Sequence, residues 1–288
     1  MLDRFFLRFP ENKAKAVSFS YDDGCRQDIR LAKLFAEKGL KCTFNINSDF
    51  FGQNENDWHL TKKEIQTNIL DLGHEIALHG ARHIANGMAD TLTGIQDVLN
   101  CRLELEKEFG IIINGMAYPD SGVSSFHNNN SYEKVRNYLE YLGVSYARAL
   151  CGTAPNFSLP NDWYCWLPTA HHNDPQIFEK IDTFLNLDLV NCYHSQCGPR
   201  LLYIWGHSYE FDNNNNWDVI EKITEKVSFN DDIWYATNIE IYNYVKAYHS
   251  LIFSADHTIV HNPTTTTVWF YVDGKSYNVK SGETLKII

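Results

Sequence analysis

An α/β fold is predicted for this sequence: βα units curled into a barrel or an incomplete barrel, with a small β appendage at the C-terminus. Three observations predict it. Short apolar runs alternate with helical stripes through most of the chain, the order that builds a parallel sheet. Ionisable residues follow one strand after another, where a barrel keeps its chemistry. After Tyr248 the helical stripes stop, and a β pattern with an Asp273-Gly274 turn takes over.

The elements follow in order. Residues 16–20 (AVSFS) read as a first strand. Ile29, Leu31, Leu34 and Phe35 form a helical stripe within 26–38, and Gly39 stops it. Residues 42–46 (CTFNI) are a second strand. Thr61 and Glu64 form a capping box that opens a helix reaching Leu72 before Gly73. Strand 74–78 (HEIAL) precedes a longer helix over 92–109, which stops at Gly110. A strand at 114–118, a helix at 131–142 and a strand at 144–149 come next. Asp174-Pro175 opens another helix, with proline at its tolerated first position. A strand at 201–205 is followed by helices at 216–227 and 238–249. In the tail, 268–272 and 276–279 flank the D-G turn as a hairpin. The organisation read from this is a barrel over 1–252 and an appendage over 253–288, too small to bury much core alone.

Composition narrows the function classes. Lys and Arg total 25 against 36 Asp and Glu, a net charge of −11. That sign opposes binding to nucleic acid or an anionic membrane, both of which need clustered positive charge. No run is long and apolar enough for a membrane span. The first residues lack an apolar signal region and a cleavage site, so a cytoplasmic location is expected. The seven cysteines are odd in number and contain no C-x-x-C pair, so free buried thiols are expected rather than a disulfide framework. The oligomeric state is left open.

The chemistry lies at the strand ends. The first strand runs into Ser20-Tyr21-Asp22-Asp23-Gly24, the third into His79-Gly80-Ala81-Arg82-His83, the fourth into Tyr118-Pro119-Asp120 and a later one into Gly206-His207. If the barrel forms, these converge on one mouth. Asp22 and Asp23 also suit the cap of the helix that follows. One carboxylate with two histidines is a sufficient ligand set for a catalytic metal with open positions. The second carboxylate is then free to act as a base on water, and His207 to protonate a leaving group. Together these describe hydrolysis of an amide or ester.

These motifs resemble those of the polysaccharide deacetylases, the family 4 carbohydrate esterases. The family's T-F-D-D-G reads Ser20-Tyr21-Asp22-Asp23-Gly24 here, its H-[ST]-x-x-H reads His79-Gly80-Ala81-Arg82-His83, and its L-x-H reads Trp205-Gly206-His207. The resemblance spans about 16–250 and implies a distorted (β/α)7-type barrel. It further implies Asp22 as base, His207 as acid, and Asp23, His79 and His83 as ligands of a divalent metal. Zinc is expected there, although cobalt, nickel or iron also suits the ligands. The Asp120 N–H is implied as an oxyanion donor, and an acetylated carbohydrate as the substrate.

Departures from the family pattern set further expectations. The R-x-P-[FY] motif reads Ala117-Tyr118-Pro119-Asp120, without the arginine that holds the base. The fourth motif falls on residues 166–172 and lacks its aspartate. A changed network is therefore expected, with His171 or His172 contacting Asp22 or binding substrate. Gly80 replaces a hydroxyl residue, so a hydrogen bond between loops is expected to be lost. Tyr118, Trp163, Tyr164 and Trp166 are candidates to face the substrate, and Tyr209, Glu210 and Phe211 to shape the pocket. Cys25 lacks the partners of a thiol nucleophile. A carbohydrate-binding protein without turnover and a non-haem iron oxygenase are the competing classes.

Overall fold

The computed structural model describes residues 5–189 and 197–287. Its strands are β1 (Phe5–Arg8), β2 (Lys15–Asp22), β3 (Cys42–Ile46), β4 (Glu75–Leu78), β5 (Gly115–Ala117), β6 (Tyr146–Arg148), β7 (Ala170–His171), β8 (Arg200–Gly206), β9 (Ile233–Tyr235), β10 (Ile252–Phe253), β11 (Ile259–His261), β12 (Val268–Val272), β13 (Lys275–Val279) and β14 (Thr284–Lys286). The helices are α1 (Asp28–Glu37), α2 (Lys62–Ile65), α3 (Thr91–Phe109), α4 (Tyr132–Tyr141), α5 (Ile177–Leu185), α6 (Tyr209–Asn213), α7 (Trp217–Val227) and α8 (Asn238–His249).

The parallel sheet runs β6-β5-β4-β3-β2-β8-β7, with β9 pairing β2 as well. Strand β2 is buried along most of its length, which suits its apolar sequence. It pairs with β8 from Lys15 to Tyr21, with β9 over Lys15–Val17 and with β3 over Phe19–Asp22. The curl is joined by one short stretch. Arg148 pairs with Trp166 in a parallel bridge, and a few residues later β7 pairs with β8. The edges thus meet through residues 166–171, giving a distorted barrel of the expected class.

Local signals account for the helix ends. Thr61 and Glu64 make the predicted capping box, although α2 continues as a π turn over Gln66–Leu70. Asp90 caps α3, and Gly110 ends it in the left-handed conformation that glycine adopts freely. Asp22 and Asp23 do not cap α1, whose N-cap position is Gln27. Apolar residues of the strands and helices form one large buried cluster that includes Phe19, Phe44, Leu78, Met116 and Ile204.

The tail forms two small sheets, β1-β12-β13 and β10-β11-β14. Asp273 and Gly274 both have positive φ, as the predicted tight turn requires. The first sheet takes its third strand from the N-terminal segment, with Phe5 opposite Val272.

The cysteines depart from expectation both in pairing and in burial. Cys197 is disulfide-bonded, and Cys192 lies outside the described residues, as does His194. Cys25, Cys42 and Cys101 are buried free thiols as expected, whereas Cys151 is free but exposed. Among the described residues no helix is long and apolar enough to cross a membrane.

Candidate active site

The strand ends bring Asp22, Asp23, His79, His83 and His207 together. Asp23 follows β2 with φ of 79°, and His83 has φ of 57°. Such backbone conformations cost side-chain-bearing residues energy and persist where surrounding structure imposes them. Asp23 Oδ1 lies 3.5 Å from His79 Nε2 and 3.4 Å from His83 Nε2. The three side chains offer ligand atoms within 4.8 Å of one another.

The surroundings fit a cation at this group. His79 Nδ1 is 2.9 Å from the Ala117 carbonyl oxygen, which places the ring proton on Nδ1 and leaves the Nε2 lone pair facing Asp23. That Nε2 is buried without a hydrogen-bond partner in the protein. Burial alone would raise the Asp23 carboxyl, but the close His79 and His83 imidazoles hold it well below the usual carboxylate range. The closeness of Asp23 in turn raises the His83 imidazole.

Asp22 is buried and held at both oxygens. Asn45 Nδ2 donates to Oδ1 at 2.8 Å, and Arg148 Nη2 donates to Oδ2 at 2.5 Å. Arg148 is fully buried, and its guanidinium lies 4.7 Å from the Trp205 ring centre. The arginine absent from the third motif is therefore supplied by another strand. In the β5–β6 pairing, Arg148 is the register partner of Ala117, where the family pattern has its arginine. The expectation that His171 or His172 contacts Asp22 is corrected: a guanidinium already fills that place.

Both histidines instead face Glu210, on the short helix α6. His171 Nε2 and His172 Nε2 each lie 3.1 Å from Glu210 Oε2, and His207 Nδ1 lies 3.2 Å from Oε1. His207 Nε2 points the other way, 3.8 Å from Asp22 and 3.9 Å from Asp23. Burial would lower the His207 imidazole, but the bond to Glu210 and the charges of Asp22 and Asp23 raise it. Burial would raise Glu210, yet its three histidines hold it far below the carboxylate range. His172 is fully buried and pushed down to about 4, so it is neutral at pH 7.

His171, His207 and Glu210 form a second group spaced for a metal. A hydrogen bond argues against that role. The Asn173 N–H donates to His171 Nδ1 at 3.1 Å, which leaves the proton of the neutral ring on Nε2, toward Glu210. The ring is set to donate there rather than to ligate.

The remaining candidates separate. Tyr118 is buried with its hydroxyl donating to the Tyr164 carbonyl at 2.9 Å, so it braces the interior rather than facing substrate. Trp166 is likewise corrected: it is buried against Tyr146, Trp163 and Tyr203, with ring centres 4.9–5.3 Å away. Its place in the stretch that joins the barrel edges explains this. Asp120 is exposed, has φ of 51°, and its charge reaches His83.

The loop link expected to be lost at Gly80 is replaced. Buried Asp97 of α3 accepts the Arg82 N–H at 2.9 Å, and the Asp97 carbonyl accepts the Ala81 N–H at 3.2 Å. A Cβ at Gly80 would lie 2.3 Å from Asp97 Oδ2, and φ there is 71°. Gly80→Ser, which restores the family's hydroxyl, is therefore expected to destabilise the fold by about 1–3 kcal/mol. Denaturant unfolding checks this; an unchanged midpoint would show that the Asp97 carboxylate can move aside at little cost.

Sequence reading missed Arg148 and the full role of Glu210. The available signals were an arginine inside an apolar strand and a carboxylate three residues after His207.

Comparisons with known proteins bear on the fold. Residues 10–147, a little under half the chain, match the family model for polysaccharide deacetylase. No curated protein matches. A structure described as a putative polysaccharide deacetylase from Mycobacterium smegmatis is similar at 16% identity and a TM-score of 0.53, covering 84% of this chain and 94% of that one. PuuE allantoinase is similar at 12% identity and a TM-score of 0.56, covering 82% and 91%. The Streptococcus pyogenes deacetylase PplD matches at 14% identity and a TM-score of 0.38; the match covers 44% of this chain and about half of PplD, 52%. The Mycobacterium smegmatis and PuuE likenesses show the fold, and the family match covers the strand ends that carry Asp22, Asp23, His79 and His83. Over residues 10–147 the chain is similar to the polysaccharide deacetylase family.

Proposed function

We propose that this protein is a metal-dependent hydrolase that removes acetyl groups from a sugar or polysaccharide, N-acetyl in preference to O-acetyl. The observation that carries this reading is the Asp22 carboxylate, fixed by Arg148 and Asn45 beside an Asp23-His79-His83 group. A divalent ion on those three residues, with zinc the first candidate, would supply Lewis-acid polarisation of the acetyl carbonyl and of water.

The protein's own groups do the rest. Asp22 takes the proton from the attacking water. Arg148 and Asn45 keep that carboxylate oriented. The Asp120 N–H receives charge developing on the acetyl oxygen. His207, protonated through its contact with Glu210, delivers a proton from Nε2 to the leaving nitrogen or oxygen. Glu210 acts through His207 and is a positioning residue. The reading of a binding protein without turnover rested on the missing arginine, and Arg148 removes that ground.

The test is acetate release from a panel of acetylated glycans, with metal content measured on the same sample. Release that stops on chelation and returns with a divalent ion supports the proposal. Metal bound with no acetate from any glycan overturns it.

A pH prediction follows from the Glu210 contact. Its folded-state effect is to raise the His207 imidazole, so the acid stays protonated to higher pH. Glu210→Gln is expected to move the alkaline limb of kcat/KM to lower pH and to reduce kcat by about tenfold or more. An unmoved limb would remove Glu210 from the proton path.

A further inference from the structure

Two cysteine sulfurs meet where the barrel closes. Cys151 Sγ and Cys165 Sγ lie 3.4 Å apart, both as free thiols. Cys151 stands three residues after Arg148, and Cys165 directly precedes Trp166, the bridge partner of Arg148. Two backbone hydrogen bonds hold this bridge. The Trp166 N–H donates to the Ala147 carbonyl and the Ala149 N–H to the Trp166 carbonyl, each at 3.0 Å. The sulfur pair thus flanks the stretch that joins the sheet edges, beside the arginine that holds Asp22.

The two thiols are unequal in a useful way. Cys151 is exposed and Cys165 half-buried, whereas Cys25, Cys42 and Cys101 are buried away from any reagent in solution. Such a reagent therefore meets Cys151 first. Burial pushes the Cys165 thiol up, and its sulfur contact with Cys151 adds to that, to about 12. Cys165 is a poor first nucleophile. It suits a second step in which the sulfur it attacks is already held against it. A metal is a worse fit, because two sulfurs leave a tetrahedral site half filled. Among the described residues, neither group spaced for a metal includes a cysteine.

We propose that Cys151 and Cys165 are a redox-modification site, which reacts with a low-molecular-weight disulfide such as oxidised glutathione and closes into a disulfide across the join of the barrel. The Cys151 thiolate attacks one sulfur of the reagent, whose S–S bond breaks and releases one thiol. The Cys165 thiolate then attacks Cys151 Sγ, the mixed S–S bond breaks and a second thiol leaves. Two electrons pass from the protein sulfurs to the reagent, and the two cysteine protons end on the released thiols. The new bond ties residues 151–165 into a covalent loop, which restricts the unfolded chain and holds the join shut in the folded one. The inference stands independently of the deacetylase reading.

The test equilibrates the full chain with oxidised or with reduced glutathione, quenches with acid, alkylates the remaining thiols and maps them by peptide mass spectrometry. In wild type, oxidation is expected to remove the thiols at 151 and 165 together, link them in peptides cut between the two positions and leave no glutathione attached. Reduced glutathione is expected to restore both. In Cys165→Ser the exchange is expected to stop with one glutathione on Cys151. Wild type that keeps glutathione on Cys151 with Cys165 still alkylated, or that keeps both thiols, overturns the site. Thermal unfolding reads the consequence for the barrel. The Tm of oxidised wild type is expected to exceed that of the reduced form by about 5 °C. Cys151→Ser is expected to lack this shift, and since it retains Cys197 it reports any change at the disulfide there. Equal Tm in the two wild-type forms, or the same shift in Cys151→Ser, overturns the clasp.

Discussion

Arg148→Ala is expected to cost about 3–5 kcal/mol of folding stability and to lower kcat on the order of a hundredfold or more. The reason is the buried pair itself. Both Asp22 and Arg148 are removed from solvent. Removing the guanidinium leaves the Asp22 charge buried, with Asn45 as its remaining side-chain donor. Arg148→Lys is expected to recover only part of the loss, because an ammonium cannot reproduce the planar fork that also lies against Trp205. The sharper variant is the exchange Arg148→Ala with Ala117→Arg. It returns the guanidinium to the position the family pattern uses, on the register partner of Arg148. The exchanged protein is expected to regain turnover over Arg148→Ala alone. Denaturant unfolding and acetate release measure the two effects. If Arg148→Ala matches wild type in both, the assigned support of the base is wrong.

Asp22→Asn is expected to reduce turnover by about 10³-fold or more while leaving a divalent ion bound. The amide cannot take a proton, yet the Asp23, His79 and His83 side chains remain in place. His79→Ala is expected to lose both metal and activity, since its Nε2 is the buried, unpartnered atom of the group. Metal content and initial rates on the same preparations separate the two roles. Full activity in Asp22→Asn would exclude it as the base.

The parts legible in the sequence were those fixed by local chemistry. Strand β3 and helix α8 match their predicted limits, and the structure starts α8 with a capping box at Thr237. Asp22, Asp23, His79, His83 and His207 were legible because each follows a strand within a short motif. The misses share one cause, contact between distant segments. Strands β7 and β9 are two and three residues long, too short to show a period. Arg148 reaches Asp22 across 126 positions, and nothing in its own neighbourhood marks that destination. Trp166 carried a motif position yet became part of the wall, because its stretch joins the barrel edges. Gly80 suggested a lost contact, and only the packing of α3 reveals the Asp97 carboxylate in that space.

The placement of β2 also sets an order of assembly. Its edge over Phe19–Asp22 pairs with β3, which follows within about twenty residues, and β4 joins next. Asp23, His79 and His83 thus come from one short span of chain, with modest loop-closure entropy between them. The other edge of β2 pairs with β8, nearly two hundred residues later, and His207 follows that strand, whereas Arg148 sits on β6 at the far end of the β3 side. During synthesis the cation-holding half can take shape while the half that moves protons is still absent. Cation binding to the early half would then favour the folded form before the catalytic set is complete, so metal supply would influence yield of folded protein as well as rate.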